Sequence, residues 1–579
     1  MIDEKDEAPK NENDECISPF KVEDDVIYKW KEKDNVYDFV ANSIAIKERL
    51  KSIDDNTWYL TLKFKDPSGQ VKEKTISQDQ LKRTDLLALM NSGIDITEGN
   101  VTDVRSYLNY SLRTDKIPVR NVHKTLGWLY NDGERTNTYL LDKAIGGDIE
   151  SKYIGNVNIK AKGKYEDYEN FIKKELADSP YLQLALTLGL TAPILAILAD
   201  EKDLENLFVN LSGNSSTGKS TALALAMSCW GKASVSDSKG SLIKSWSATE
   251  NALFKSISSQ GLHGFPVCRD ECGANNIKHF NNFVYRFCSG SDKSRLNSDC
   301  LLQESQSFKT VMISSGEVRI QDLMKEHTLG SNVVRLTEFN NFPWTKDAEQ
   351  SDRIKQFVSR NYGTFGKTFV TFLCQYDYDE FYEVWEDCTN DLKPRIKPYV
   401  KHFADRIASK LALFVTTFRF LITMLDVSWD DEKINEILID SAKDKVDEIN
   451  LAKKAYDIIM TFVAENASHF YTFSGSSYNI KNRIVQTCSA TIWGKQNDND
   501  VTITRTKVEQ ILLSNGFKNP KLVYMKLKES GALIAENDGN RNNYFNRRTV
   551  TNSVKIPVIV LKKNVSFDDT PDDRDNCAD

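Results

Sequence analysis

The sequence predicts an α/β fold in which helices wrap a parallel sheet, and three observations predict it. From about Tyr165 to Phe342, short apolar strands alternate with helices, as in a parallel sheet covered on both faces by its crossovers. The strand LFVNLS (207–212) runs directly into Gly213-Asn214-Ser215-Ser216-Thr217-Gly218-Lys219-Ser220, which fits G-x-x-x-x-G-K-[ST]. TALALAMSCW then follows as an apolar helix.

Each flanking element has its own pattern. Residues 1–25 carry 10 acids against 3 bases and read as a solvated, disordered tail. Residues 26–164 are expected to form an α+β domain: TWYLTLKFK (57–65) alternates, Asp66-Pro67-Ser68-Gly69 reads as a turn, and QVKEKTIS returns as a strand. Residues 78–120 look helical, with Gly93 as a stop, and 121–160 return to short strands around Gly127-Trp128. The P-loop core is expected at 165–349 and a helical lid at 350–478, where KHFADRIASKLALFVTTFRFLITML is the clearest amphipathic run. Residues 479–565 read as strand, helix, helix, strand and a basic hairpin, with the hairpin assigned to ALIAENDGNRNNYFNRRT. A second acidic tail closes the chain at 566–579.

Composition sets limits on class. The 579 residues are 40% hydrophobic and 27% charged, with a mean hydropathy of −0.47, which excludes collagenous and wholly disordered chains. Ten cysteines show no paired spacing, arguing against a disulfide scaffold or zinc ribbon. MIDEKDEAPK lacks an apolar core, so no signal peptide is expected and the setting is read as cytoplasmic. YLQLALTLGLTAPILAILA (181–199) approaches membrane-span length, but Gln183, Gly189 and Pro193 favour a buried core helix. The six histidines show no metal spacing.

The chemistry centres on 213–220. Its glycines let backbone amides turn around phosphate oxygens, Lys219 supplies positive charge, Ser220 can ligate Mg²⁺, and the following helix, starting near Thr221, points its N-terminus at the ligand. Fifty residues on, Pro266-Val267-Cys268-Arg269-Asp270-Glu271 is an apolar strand ending in two acids, with Asp270 suited to the metal and Glu271 to polarising the attacking water. Ser315, at the end of FKTVMISS, is a candidate for sensing the γ-phosphate, with ordinary strand termination as the alternative. Arg335 is a candidate arginine finger acting in trans, with a surface ion pair as its alternative, and Arg406 a candidate second sensor.

These motifs occur in a set order with Ser245-Trp246-Ser247-Ala248-Thr249, Gly290-Ser291-Asp292-Lys293-Ser294-Arg295 and Tyr362-Gly363-Thr364-Phe365-Gly366. The order resembles a family of AAA+ ATPases of phages and mobile elements, long catalogued as a domain of unknown function. The replicative helicases of staphylococcal cassette chromosomes, similar to MCM helicases, are within it. The resemblance covers roughly residues 35–470, and the C-terminal block looks like the winged helix that such helicases carry. It implies an ATP- and Mg²⁺-dependent ring, a hexamer, that tracks on single-stranded DNA and unwinds forked duplex 3′→5′, with a primase or polymerase as further partners. It also implies that 290–309 forms a hairpin pointing into the ring's channel, where Lys293 and Arg295 would meet phosphates. A solvated loop is the alternative.

Charge supplies a reason for DNA that is independent of the family. Residues 481–563 hold 15 Lys/Arg against 6 Asp/Glu. Lys518, Lys521, Lys526 and Lys528 surround the second helix, while Arg541, Arg547 and Arg548 lie on the hairpin with Tyr544 and Phe545. That suits a helix in a groove, or single strands stacked on aromatics, with protein docking as the alternative. Rival functions are a DNA-binding ATP switch that does not unwind and a P-loop kinase for a small molecule.

Overall fold

A computed structural model describes residues 18–567, apart from 200, 237–238, 259–261, 278, 291–294, 297–301, 304–306, 325–332, 446–450, 474–483, 487–490, 518, 536–543, 550–554 and 566. The chain forms two compact units that part between Asn156 and Val157.

In the N-terminal unit, Phe20–Glu23, Val26–Lys31 and Val36–Asn42 form an antiparallel sheet. Trp58–Lys65 and Val71–Ser77 pair as the expected hairpin inside a five-stranded sheet. Its turn is set by Asp66, whose Oδ1 accepts from the amides of Ser68 and Gln70. The helical stretch expected over 78–120 consists of Gln78–Leu81, Arg83–Ala88, Leu89–Ser92 and Val101–Thr114. Gly93 ends the first run at φ 81°, a conformation glycine adopts freely. Leu60, Leu62 and Phe64 from the sheet bury against Val104 and Leu108 of Val101–Thr114.

The larger unit is built on a five-stranded, all-parallel sheet: β1 (Leu207–Ser212), β2 (Ile243–Ser245), β3 (Val267–Asp270), β4 (Val311–Ser315) and β5 (Leu336–Asn340). Their order across the sheet is β2-β3-β4-β1-β5. Every residue of β1 is buried, as expected for a strand with partners on both sides and helices on both faces. The acids ending β3 are therefore not on the strand beside β1. β4 lies between the two, so the end of β4 is the natural bridge between the glycine-rich loop and the acids.

The apolar segment near 181–199 is helix α1 (Pro180–Leu198), 94% buried over its most apolar window. Its close partner is α2 (Lys219–Ser228), the helix that leaves the loop. A Cβ on Gly189 would stand 2.2 Å from the Ala226 carbonyl oxygen, so only glycine permits this approach. Trp230 Nε1 then donates to the Gly189 carbonyl at 2.7 Å. Among the described residues two stretches, Pro180–Leu198 and Tyr378–Leu425, have membrane-span length and composition, and both are mostly buried within the protein.

Beyond β5 come α3 (Ala348–Val358) and the helices Phe365–Leu373, Tyr378–Val400, Ala404–Leu425, Asp431–Lys443 and Leu451–Glu465. The Tyr362–Gly366 motif is a packing device. At Gly363 a Cβ would lie 2.9 Å from the Ala161 Cα, and at Gly366 2.8 Å from the Cys229 carbonyl oxygen.

The C-terminal segment holds α4 (Arg505–Ser514) and α5 (Pro520–Glu529) against a sheet that includes Asp500–Thr504, Asn546–Thr549 and Lys555–Lys562. The expected hairpin within 532–549 is corrected. Asn546–Thr549 pairs with Lys555–Lys562, and Leu533 only bridges to Leu561. The run Val558–Leu561, wholly buried and β-branched at three of its four positions, supplies the strand partner instead.

Candidate nucleotide site

The glycine-rich loop connects β1 to α2 at the C-terminal edge of the sheet. Three of its residues have positive φ: Gly213 (120°), Ser216 (69°) and Gly218 (85°). Both glycines are required by contact as well as by φ, because a Cβ would reach Asn341 Oδ1 at 2.3 Å from Gly213 and Thr345 Oγ1 at 2.5 Å from Gly218. The chain after β5 thus braces the loop. The Asn214 amide donates to Asn341 Oδ1 at 2.9 Å, and the Trp344 amide to the Thr217 carbonyl at 2.9 Å. Lys219 Nζ donates to the carbonyls of Gly213 (2.8 Å) and Asn214 (2.6 Å).

A cleft of about 470 Å³ opens here, lined by Ser215, Ser216, Gly218, Lys219, Ser220 and Thr221. Glu271, Glu317, Thr345, Lys346, Asp352 and Lys355 complete the lining. Thr221 also ties α2 to α3: its hydroxyl pairs with Ser351 Oγ at 2.7 Å.

Asp270 is buried at the end of β3, and its carboxylate accepts from the Ser315 hydroxyl at the end of β4. Ser315 was expected to meet the nucleotide itself, but the structure puts its hydroxyl on Asp270. Next in the chain, Glu271 is exposed and held at φ 61°, an uncommon conformation for a residue with a Cβ and one that concentrates at functional sites. Burial lowers the Lys219 ammonium below its ordinary pKa, against the opposing pull of Glu317, Glu271 and Asp270 in that order. Ser220 and Asp270 offer only oxygen donors, the ligand type that Mg²⁺ prefers. Among the described residues no group of three or more His, Cys, Asp and Glu could hold a metal ion.

Two expected residues lie elsewhere. Arg335 precedes β5, so it sits at the opposite, N-terminal edge of the sheet, about 17 Å away along that five-residue strand. There it pairs with Glu205 at 2.7 Å and lies 4.9 Å from the centre of the Tyr285 ring. Arg406, expected to reach the nucleotide, is at the same edge, 3.7 Å from Glu205, with Lys410 at 2.6 Å from that carboxylate. Neither arginine reaches the loop within the chain. Burial tends to raise the Glu205 carboxyl, but Lys410, Arg335 and Arg406 outweigh it and its pKa is lowered.

Residues 20–307 match a family described as a domain of unknown function, DUF927, and residues 450–564 match one described as the Cch helix turn helix domain. No curated protein matches the chain. A solved structure described as "SCCmec type IV Cch - active helicase" aligns with a TM-score of 0.73 at 23% identity, over 95% of this chain and 98% of that one. The chain has the fold of that helicase. The resemblance to the staphylococcal cassette helicases therefore holds along nearly the whole length, wider than the 35–470 read from the motifs.

The C-terminal segment is accordingly a helix-turn-helix domain, with α4 and α5 as its helix pair. Asn519 caps α5 by accepting from the Leu522 amide at 3.4 Å, and Pro520 opens the helix without needing a partner for an amide hydrogen. Lys521 is exposed, whereas Lys526 is tied to Glu529 at 2.7 Å. Lys528 lies 5.6 Å from the centre of the Tyr544 ring, and Arg505 4.2 Å from that of Phe545. Arg547 and Arg548 lie on the strand Asn546–Thr549, their backbones opposite Pro557 and Ile556. Arg295 lies opposite Gln303 in a short antiparallel pair, Arg295–Leu296 with Leu302–Gln303. Lys293, Lys518 and Arg541 fall outside the described residues.

Sequence reasoning gave no role to Glu317, Asn341 or the start of α3. For Glu317 the available signal was an acid two residues past the end of a central strand. For the other two the contacts span more than a hundred residues of chain and no local pattern announces them.

Proposed function

We propose that this chain is an AAA+ P-loop ATPase that acts as a DNA helicase in the replication of a mobile genetic element. One observation carries the proposal: the 213–220 loop, Asp270 and Glu271 converge on the C-terminal edge of a parallel sheet ordered β2-β3-β4-β1-β5. The fold shared with a solved structure described as an active helicase supports the coupling of this site to DNA.

In this mechanism the amides of 213–218 and the Lys219 ammonium bind the β- and γ-phosphates of ATP. Ser220 and Asp270 would hold Mg²⁺, which when bound neutralises charge on the phosphates. Ser315 positions Asp270 through its hydroxyl. Glu271 takes a proton from the attacking water, a role its exposure at the cleft permits. Arg335 acts in trans as a finger, exchanging Glu205 for the γ-phosphate of a neighbouring subunit in a hexameric ring. Lys293 and Arg295 contact the tracked single strand, and the helix-turn-helix domain uses Lys521, Lys526, Arg541, Arg547 and Arg548 on DNA phosphates. The core at 165–349, lid at 350–478 and winged helix at 479–565 are the working parts.

Steady-state ATP hydrolysis with and without single-stranded DNA, at low and moderate salt, tests the coupling. Stimulation of several-fold that disappears at higher salt is expected, because phosphate contacts release counterions. A forked-duplex unwinding assay follows from that result. Hydrolysis indifferent to DNA would instead make the chain a nucleotide switch.

A further inference from the structure

Glu317 lies in the nucleotide cleft, yet none of the roles above uses it. It follows β4 by two residues, and its carboxylate accepts from the hydroxyl of Ser215 in the middle of the phosphate loop. It shares the cleft with Lys219 and Glu271, and it pulls on the Lys219 ammonium more strongly than either Glu271 or Asp270. A negative group thus sits beside the lysine expected to receive the terminal phosphate.

The backbone on either side of Glu317 is anchored. The Gly316 amide donates to the Leu211 carbonyl at 3.1 Å, and a Cβ there would meet Cys272 Sγ at 2.3 Å, so the chain lies against the residue that follows Glu271. Cys272 Sγ donates to the Val318 carbonyl at 3.2 Å, and buried Glu338 accepts from the Ile320 amide at 2.8 Å. With the main chain pinned at 316, 318 and 320, the exposed Glu317 side chain is the part that can respond to charge. A γ-phosphate on Lys219 would bring like charge against it, and a diphosphate would not.

We infer that Glu317 gauges the terminal phosphate: it holds Ser215 while the site has a diphosphate or nothing, and a triphosphate drives it off that hydroxyl. The inference rests on the nucleotide-site reading above. Its consequence is selective. Glu317 weakens binding of triphosphate while leaving diphosphate nearly untouched, so it sets the balance between the two forms of the motor.

Equilibrium binding of ATPγS and ADP with Mg²⁺ to the full chain, its Glu317→Gln and Glu317→Ala variants, and Lys219→Ala tests this. Both Glu317 variants are expected to bind ATPγS about fivefold tighter or more, with ADP affinity changed by less than about twofold. Equal changes for the two nucleotides, no change, or weaker ATPγS binding would overturn the gauge. So would a Glu317→Gln variant that loses hydrolysis at unchanged ATPγS affinity, the signature of a catalytic base. A wild-type chain that binds neither nucleotide, or binds both as well with Lys219→Ala, would defeat the site reading itself, a result distinct from the others.

Discussion

At the N-terminal edge of the parallel sheet one carboxylate, Glu205, meets three cations, Arg335, Arg406 and Lys410. At the C-terminal edge the relation inverts around the loop's own lysine: Lys219 feels three carboxylates, Glu317, Glu271 and Asp270. The first edge is left with surplus positive charge, suited to an anionic group from outside the chain. The second gathers carboxylates around the glycine-rich loop, an arrangement that suits an oxygen-liganded divalent cation. Backbone geometry separates the edges too. Positive φ at Ser216 and Glu271 occurs on the loop side.

The comparison breaks most visibly at Glu205. Its side chain is 22% exposed, Arg335 12% and Lys410 9%, so Glu205→Ala removes a carboxylate shared by two largely buried cations. The expected loss is about 3 kcal/mol in urea unfolding, as for other broken buried pairs, with ATPγS affinity retained. If the loss is below about 1 kcal/mol, the cluster is only a surface network.

Gly189→Ala probes the seat of the other edge. The added methyl would collide with the Ala226 carbonyl of α2, forcing apart the helices that carry the loop. A stability loss of about 2 kcal/mol is expected, with weaker nucleotide binding alongside it. An unchanged melting temperature would mean that α1 and α2 can separate at no cost.

The smallest effect is in pH. The folded Glu205 carboxyl lies below its ordinary value of 4.5, so its ion-pair stabilisation is fully present above that value and is lost as pH falls through it toward the folded value. The stability gap between wild type and Glu205→Gln should therefore be constant from neutral pH down to about 5 and shrink below it. A gap that widened on acidification would reverse the assigned sign.

What could be read from sequence follows contact distance along the chain. The loop, its strand and helix, and the Asp270-Glu271 strand end are local patterns, and the structure brings the loop and Glu271 to one cleft, with Asp270 buried at the strand end. The hydroxyl of Ser315 on Asp270, Glu317 on Ser215 and Asn341 on Asn214 join residues far apart in the chain, and only the sheet order brings them together. The insertion of β4 between β1 and β3 is likewise topology, which periodicity does not encode. Arg335 and Arg406 stand out by charge and position, but their shared partner Glu205 lies well upstream with no motif around it. At the C-terminus the partner of Asn546–Thr549 is Lys555–Lys562, a pairing that the turn residues before it do not announce.

The most direct measurement is steady-state ATP hydrolysis by wild type, Lys219→Ala and Glu271→Gln, each checked for folding by thermal melt. The account predicts that both variants lose turnover by about 100-fold or more with melting temperatures near wild type. Turnover undiminished in either folded variant would contradict the assignment of the C-terminal edge as the catalytic one.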